Sequence, residues 1–140
     1  VLCTVREVGH YSCRSMTGNC AALQSLADEP GRVQMNPADA EKLGISEGQL
    51  VWVRSRRGKV ITRASISERI NAGAVYMTYQ WWIGACNELT QDNLDPISKT
   101  PETKYCAVQL EAIEDQRWAE DFAASAYQSM KSRLINAVNV

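Results

Sequence analysis

The chain has 140 residues, of which 45% are hydrophobic and 22% are charged, and its formal net charge is −1. These values describe an ordinary globular domain, and the near-neutral charge argues against a protein that binds nucleic acid by neutralising phosphates. No segment is apolar over the length that a bilayer requires, so we expect no direct membrane insertion.

Short strands dominate the pattern of the first 110 residues. In chain order the sequence predicts a strand at 1–8, a polar loop at 9–18, a short helix at 19–27 and a strand at 32–35. Strands at 50–55 and 59–67 are expected to form a hairpin around Arg57-Gly58, and further strands are expected at 74–79 and 105–110. The segment 82–104 between the last two is rich in turn formers, which is typical of a long functional loop.

A helix is predicted to start directly after Asn36. The Asn36 side chain can cap the free N–H groups, Pro37 suits the first helical position, and Gly44 suits the left-handed residue that ends a helix. Several short strands with short helices favour a mainly β fold, a small closed barrel, which we treat as a single domain over residues 1–140.

Residues 115–137 differ, because apolar residues recur every fourth position and so share one helical face. These residues are Trp118, Phe122, Ala126, Met130 and Leu134. Acidic residues near the start and Lys131 and Arg133 near the end suit the helix dipole. We expect this face to pack on the protein core rather than on a membrane.

The five cysteines, at positions 3, 13, 20, 86 and 106, are irregularly spaced. This argues against a disulfide framework and against a zinc or iron–sulfur site, so we predict no metal ligands. Reduced and mostly buried thiols in a reducing compartment, the cytoplasm, are expected. The chain opens at Val1 without an initiator Met, which suggests a fragment of a longer polypeptide.

No catalytic constellation stands out. A single histidine and no Gly-x-Ser-x-Gly motif give little support to a Ser–His–Asp hydrolase, and neither phosphate-binding glycine motif is present. A basic cluster lies in the hairpin, at Arg54, Arg56, Arg57 and Lys59, and we interpret it as a solvated turn. We therefore predict no catalytic residues in this chain.

Three segments carry a resemblance to a known family. The first is a motif that reads Asn36-Pro37-x-Asp39-Ala40-x-x-Leu43-Gly44-Ile45, followed by Gly48-x-x-Val51-x-Val53-x-Ser55-x-x-Gly58. The second comprises Arg6, His10, Tyr11, Ser15, Met16 and Thr17. The third comprises Asn87-Glu88-Leu89-Thr90, Asp95-Pro96-Ile97-Ser98 and Pro101-Glu102-Thr103-Lys104. Together they resemble the C-terminal domain of molybdopterin-dinucleotide oxidoreductases, most closely that of bacterial formate dehydrogenases in the DMSO reductase family. Ser12 and Gln80 depart from the pattern, since many relatives have a histidine at or near these positions.

The resemblance implies a six-stranded double-psi β-barrel that binds molybdopterin guanine dinucleotide, a bis-MGD cofactor. It implies that the full enzyme oxidises formate to carbon dioxide, and that its molybdenum (or tungsten) ligand, which can be selenocysteine, and its 4Fe-4S cluster are held by earlier domains. The implied partners are the remaining domains of the same polypeptide and electron-transfer subunits. This chain would position the cofactor while the metal centre performs the redox chemistry.

An anionic dinucleotide requires cations and N–H donors for its diphosphate, and amides and hydroxyls for its pterin. On this basis the predicted cofactor-binding residues are Arg6, His10, Ser12, Ser15, Thr17, Tyr79, Asn87 and Lys104. Each has a plainer interpretation: His10 can be a satisfied structural residue, Arg6 can pair with Glu7, Asn87 can cap a turn, and Lys104 can face solvent. Tyr79, Trp81 and Trp82 can equally serve in core or interdomain packing.

Two other functions remain open from the sequence. The chain can be a free-standing cofactor-binding subunit, as in formylmethanofuran dehydrogenases. It can also be a non-enzymatic double-psi barrel that binds peptides or proteins, like the N-terminal domains of some ATPases.

Overall fold

The computed structural model describes residues 1–138, apart from the side chains at 134, 135, 137 and 138. Seven strands form one mixed sheet: β1 (Leu2–Val5), β2 (Arg32–Met35), β3 (Leu50–Arg54), β4 (Lys59–Ile66), β5 (Val75–Thr78), β6 (Tyr105–Cys106) and β7 (Gln109–Ala112). The α-helices are α1 (Ala21–Gln24), α2 (Pro37–Leu43) and α3 (Gln116–Val138), and 3-10 turns occur at Thr17–Asn19 and Cys86–Glu88. The predicted strands are thus confirmed, except that the strand expected at 105–110 is two strands.

The sheet is strongly curved because its two edge strands are neighbours in the chain. The strand order is β6-β1-β5-β2-β4-β3-β7, so β6 and β7 lie at opposite edges. Only Ala107 and Val108 separate them, and three peptide steps reach at most about 11 Å. Seven flat strands would place the edges roughly 29 Å apart. The sheet must therefore curl until its edges approach, although no ladder joins β6 to β7 among the described residues.

Strand directions bring seven strand ends to one end of the curled sheet. β1 and β5 are parallel, β2 and β4 are parallel to each other, and every other pair is antiparallel. The last residues of β1, β3 and β5 therefore lie at the same end as the first residues of β2, β4, β6 and β7. We call this the loop end, because the polar segments 6–17 and 79–104 both begin there.

The core of the sheet follows from alternation along the strands. Inward-facing residues of neighbouring strands are fully buried, and they include Leu2, Val33, Met35, Val51, Val53 and Met77. Burial of such side chains stabilises the fold by roughly 1.5–3 kcal/mol each. This apolar interior is the rigid support from which the loop end projects.

Helix α2 begins and ends as the sequence predicts. The Asn36 side chain accepts a hydrogen bond from the Ala38 N–H at 2.9 Å, and Gly44 adopts φ 64°, the left-handed conformation that costs glycine little. Asn36 also donates through Nδ2 to the carbonyl of Ile70 at 2.6 Å. One side chain thus caps the helix and ties it to the segment before β5.

Helix α3 packs through alanines, not through the predicted aromatic face. Ala119 and Ala123 are buried against Leu50 and Ile61, whereas Trp118 and Phe122 are 47% and 41% exposed. The helix packs on the core as expected, but the predicted stripe is only partly buried, because Ala119 and Ala123 form the centre of the contact and Ala126 and Met130 are half-buried. The aromatic residues instead lie at the edge of the contact, with their rings 6.4 and 6.0 Å from that of Trp52. The predicted contribution of Leu134 lies outside the described side chains.

Polar contacts fix the position of α3 on the sheet. The Gln116 side chain accepts from the N–H of Leu50 at 2.8 Å and donates to its carbonyl at 2.9 Å, as a neighbouring strand would. Arg63 on β4 donates two hydrogen bonds to the Glu120 carboxylate, at 2.7 and 2.9 Å. The hydrogen bonds from Arg63 hold the pKa of Glu120 below its ordinary value.

Replacement of the α2 cap should loosen the helix locally. In Asn36→Ala the Ala38 N–H and the Ile70 carbonyl lose their partner, which should cost about 1–2 kcal/mol. We expect the amide hydrogens of α2 to exchange roughly 5- to 30-fold faster, measured by hydrogen–deuterium exchange. Asn71→Ala, an exposed asparagine near the same segment, is the control and should leave α2 exchange unchanged.

The contact of α3 with β4 should weaken in acid. Because the pKa of Glu120 is lowered in the folded state, its stabilisation is present above pH 4.5, the ordinary value, and is lost as pH falls through the folded-state pKa. Glu120→Gln should remove this dependence and accelerate exchange of the α3 amides at pH 7 by less than about fivefold, since the pair is half-exposed. Asp121→Asn, which removes a neighbouring carboxylate, should keep the wild-type pH profile.

Candidate functional site

Two predicted cofactor-binding residues meet where β1 and β5 end. The parallel register pairs Val5 with Thr78, so Arg6 and Tyr79 follow side by side. The Arg6 guanidinium carbon lies 6.0 Å from the centre of the Tyr79 ring, at the limit of a cation–π contact. Arg6 is exposed and forms no ion pair within residues 1–138, so its expected alternative pairing with Glu7 is absent there.

His10 and Thr17, both predicted to contact cofactor, bind each other. His10 is 7% exposed, and its Nε2 donates to the Ala27 carbonyl at 2.8 Å. Its Nδ1 therefore accepts from the Thr17 hydroxyl at 3.0 Å, and that hydroxyl also accepts from the Tyr11 N–H at 3.2 Å. Both ring nitrogens of His10 are used within the protein, so the histidine shapes the 6–17 loop from inside.

A buried arginine that sequence reasoning missed anchors this loop. Arg14 is 5% exposed; it forms an ion pair with the Asp28 carboxylate at 3.1 Å and another with Glu29. Its Nε donates to the Gln80 carbonyl at 3.1 Å, and its guanidinium carbon lies 4.6 Å from the Trp81 ring centre. The sequence around Arg14 does not indicate that this residue is buried. Its partners Asp28 and Gln80 are 14 and 66 residues away in the chain.

Glu29 connects the arginine to the chain after β5. Its carboxylate accepts hydrogen bonds from the N–H groups of Trp82 and Ile83, both at 2.9 Å. Burial nevertheless raises the pKa of this carboxyl above its ordinary value, against the opposing effects of those hydrogen bonds and of Arg14. A buried carboxylate without a cation would be strongly destabilising, so the Glu29 charge depends on its ion pair with Arg14.

The aromatic residues 81 and 82 have different environments. Trp81 is 3% exposed and packs edge-on against His10, with ring centres 5.8 Å apart, which confirms its expected packing role. A Cβ placed on Gly31 would overlap the Trp81 ring, so a glycine is required there. Trp82 is 40% exposed and its ring lies 6.3 Å from that of Tyr127 on α3.

The other predicted residues reach the loop end from the segment 79–104. The Lys104 carbonyl accepts from the Thr4 N–H at 2.9 Å and the Thr103 carbonyl from the Thr4 hydroxyl at 2.8 Å, which places Lys104 beside the end of β1. Its side chain is exposed. Asn87, also exposed, lies in the 3-10 turn whose Glu88 carbonyl approaches Gly58, at the start of β4. The described residues give the Asn87 amide nitrogen no hydrogen-bond acceptor.

Ser12 and Ser15 are exposed residues of the 6–17 loop. Ser12 and Arg14 adopt φ 46° and 62°, a left-handed conformation that costs a non-glycine residue of order 1 kcal/mol and that the surrounding contacts enforce. Ser15 lines a cavity of about 160 Å³ together with Arg14, Trp82 and Tyr127. Neither Arg6 nor Lys104 lines that cavity.

The cysteine thiols differ in burial. Burial raises the pKa of the Cys86 thiol to about 12 and also raises that of Cys106, so both remain protonated at neutral pH. Cys13 and Cys20 are exposed, so the thiols are less uniformly buried than expected, and all five are free. Within residues 1–138 no three His, Cys, Asp or Glu side chains are grouped to hold a metal ion.

The basic hairpin turn is largely neutralised by acidic neighbours. Lys59 binds the Glu111 carboxylate at 2.9 Å, Arg54 approaches it at 3.7 Å, and Arg57 approaches Asp92 at 3.5 Å. Only Arg56 of this cluster forms no ion pair in the part of the chain that the structure describes. The interpretation of the cluster as a solvated turn agrees with these contacts.

Comparisons with known proteins identify the family of this chain. The family model described as "Molydopterin dinucleotide binding domain" matches residues 1–107. This chain belongs to that family. The match ends before α3, so the helix lies outside the part of the domain that the family model describes.

Formate dehydrogenase H of Escherichia coli is 66% identical to this molybdopterin dinucleotide-binding domain over 137 residues, which is 98% of the chain and 19% of the relative. The F420-dependent formate dehydrogenase 2 subunit alpha of Methanococcus maripaludis is 41% identical over 81% of the chain and 17% of the relative. Among solved structures, acetylene hydratase from Pelobacter acetylenicus has the same fold, with a TM-score of 0.66 at 17% identity over 80% of the chain and 18% of that protein. The chain thus spans about a fifth of the length of the curated relatives it matches.

Within the described residues, no helix has the length and apolar character needed to cross a membrane.

The buried ion pair should be essential to the shape of the 6–17 loop. Arg14→Gln leaves the Glu29 charge buried without its cation, which typically costs about 3–5 kcal/mol. We expect the Trp82 and Ile83 amide hydrogens, which bind Glu29, to exchange at least about 100-fold faster. The double variant Arg14→Gln, Glu29→Gln should recover much of the loss because no charge remains buried. Arg6→Gln, an exposed arginine in the same loop, is the control; equal effects of the two single variants would contradict this role.

Proposed function

We propose that this chain is the C-terminal domain of a molybdenum or tungsten formate dehydrogenase, in which it binds molybdopterin guanine dinucleotide. The full enzyme would oxidise formate to carbon dioxide. The proposal is supported by 66% identity to formate dehydrogenase H over nearly the whole chain, together with the family membership. Its partners would be the remaining domains of the same polypeptide and electron-transfer subunits.

The finer architecture that we propose is the six-stranded double-psi barrel. Strands β6 and β7 would be two halves of one barrel strand, interrupted at Ala107 and Val108, which reduces seven strands to six. The supporting observation is that these two residues join opposite edges of the curled sheet. The combined strand β6–β7 would pair with β1 through β6 and with β3 through β7, and this pairing would close the barrel.

The cofactor would lie across the loop end of the sheet. The single observation that carries this proposal is the convergence there of two exposed cations, Arg6 and Lys104, with the exposed amide of Asn87. Cations without protein partners suit a diphosphate, and an amide can both donate to and accept from a pterin or purine edge. The donor set therefore fits an anionic dinucleotide.

The predicted residues would divide into two roles. Arg6, Lys104, Asn87, Ser12 and the Tyr79 ring would contact the cofactor directly, whereas His10 and Thr17 would hold the loop in shape through their mutual hydrogen bond. Ser15 would contribute only if the cofactor reached the cavity beside Trp82. When bound, the cofactor supplies the redox metal centre, and these residues bind it, orient it and exclude water from it.

Removal of the two exposed cations should release cofactor without unfolding the domain. In the full-length enzyme that contains this chain, Arg6→Ala and Lys104→Ala should each lower cofactor content several-fold, and the double variant by more than about tenfold, because each loses a charge-assisted contact. Cofactor content is measured as guanine nucleotide released by acid and as molybdenum or tungsten by mass spectrometry.

Lys42→Ala is the matched control, since Lys42 is an exposed lysine of α2, which follows the opposite end of β2. It should retain full cofactor content. Full cofactor content in the Arg6→Ala, Lys104→Ala double variant would contradict the proposed site.

A further inference from the structure

Gln80 is a buried polar residue whose side chain binds only the backbone of the 6–17 loop. It is 1% exposed, directly after the end of β5. Its Oε1 accepts from the Glu7 N–H at 2.6 Å, and its Nε2 donates to the carbonyls of Glu7 at 3.2 Å and His10 at 2.8 Å. Three of the four hydrogen-bonding positions of the amide are therefore used on two loop residues.

These contacts continue the β1·β5 ladder beyond the ends of the strands. The parallel register pairs Val5 with Thr78, so that Glu7 falls opposite Gln80. A primary amide presents a donor and an acceptor side by side, as a peptide group does, and it binds both the N–H and the carbonyl of Glu7.

Arg6 and Tyr79 lie between the last β1·β5 pair, Val5 and Thr78, and the contact of Gln80 with Glu7. Arg6 precedes Glu7 and Tyr79 precedes Gln80, so the side-chain ladder holds the two backbones at strand spacing just beyond them. The Arg6 guanidinium carbon lies 6.0 Å from the Tyr79 ring centre in this arrangement. The Gln80 carbonyl also accepts from Arg14 Nε, so one residue ties both halves of the loop to β5.

We infer that Gln80 is a positioning residue for cofactor binding, which acts by holding Arg6 beside Tyr79 through its bonds to the Glu7 and His10 backbone. The inference rests on the proposed function, because it assigns Gln80 a role in presenting a residue proposed to bind the cofactor. Gln80 itself has no accessible surface for a ligand.

The test uses the full-length enzyme with Gln80→Leu, which preserves approximate size but removes the amide. Exchange of the Glu7 amide hydrogen should accelerate about 10- to 100-fold, since the amide loses its acceptor. The rate of cofactor release, followed by the fluorescence of the freed pterin, should rise about tenfold or more. Gln80→Glu should accelerate cofactor release as Gln80→Leu does, because a carboxylate cannot donate to the Glu7 and His10 carbonyls, but it should slow Glu7 exchange relative to Gln80→Leu, because it can still accept from the Glu7 N–H. Gln34→Leu, at an exposed glutamine of β2 near the opposite end of the sheet, should leave both rates unchanged.

A double-mutant cycle with Arg6→Gln separates positioning from a general loss of stability. If Gln80 acts through Arg6, Gln80→Leu should have little further effect on cofactor release once Arg6 is replaced. Additive effects, or faster Glu7 exchange with unchanged cofactor release in Gln80→Leu, would overturn the inference.

The proposed function fails in a different way. If Arg6→Gln and Lys104→Ala leave release unchanged, the site itself is wrong. An increase in release for Arg6→Gln but not for Gln80→Leu rejects only the positioning role.

Discussion

The parallel pairing of β1 with β5 is the constraint on which the rest of the site depends. Parallel neighbours end at the same side of a sheet, so the segments that follow them must begin side by side. Here the register of Val5 with Thr78 brings the 6–17 loop against the chain from Tyr79 onward, although more than 60 residues separate them. Pairing of β6 with the other side of β1 then adds Lys104 to the same end. The hairpin turn near Gly58 approaches the Glu88 carbonyl at the loop end, so the curvature of the sheet also brings Asn87 to this end.

Buried and exposed cations have separate roles at this end of the molecule. Arg14 contacts Glu29, Asp28, the Gln80 carbonyl and the Trp81 ring. Its charge is therefore paired within the protein, and these contacts hold the loop. Arg6 and Lys104 remain in contact with water, and a ligand can bind them without displacing a protein partner. This division follows from desolvation: a buried charge must be paired within the protein, whereas an exposed one can remain available.

Helix α3 is an addition to the curled sheet. The family match ends at residue 107, yet the helix is fixed by Gln116 on the Leu50 backbone and by Arg63 on Glu120. The fully buried residues of its contact face are Ala119 and Ala123. Trp82 meets Tyr127 of this helix, which connects α3 to the chain that leaves β5 and therefore to one side of the loop end.

Local signals in the sequence were sufficient for several elements. The Asn36 cap, Pro37 and Gly44 determine where α2 begins and ends, because capping and left-handed φ depend on residues within one turn of each other. Alternation of apolar residues located most strands to within two or three residues. Periodicity failed at 105–110. It predicted one strand there, whereas the structure has β6, which pairs with β1 at one edge of the sheet, and β7, which pairs with β3 at the other edge. For α3 the periodicity located the helix, but the centre of the buried contact lies at Ala119 and Ala123, one residue beyond the predicted stripe.

The sequence by itself determined the family, most of the strand pattern and a set of candidate polar residues. The tertiary structure alone decided which of them remain free. It placed both nitrogens of His10 in hydrogen bonds, left Arg6, Asn87 and Lys104 exposed, and showed that Arg14 and Gln80 organise the loop. The physical reason is that burial and hydrogen-bond partnership depend on contacts between residues far apart in the chain, and no local pattern encodes those contacts.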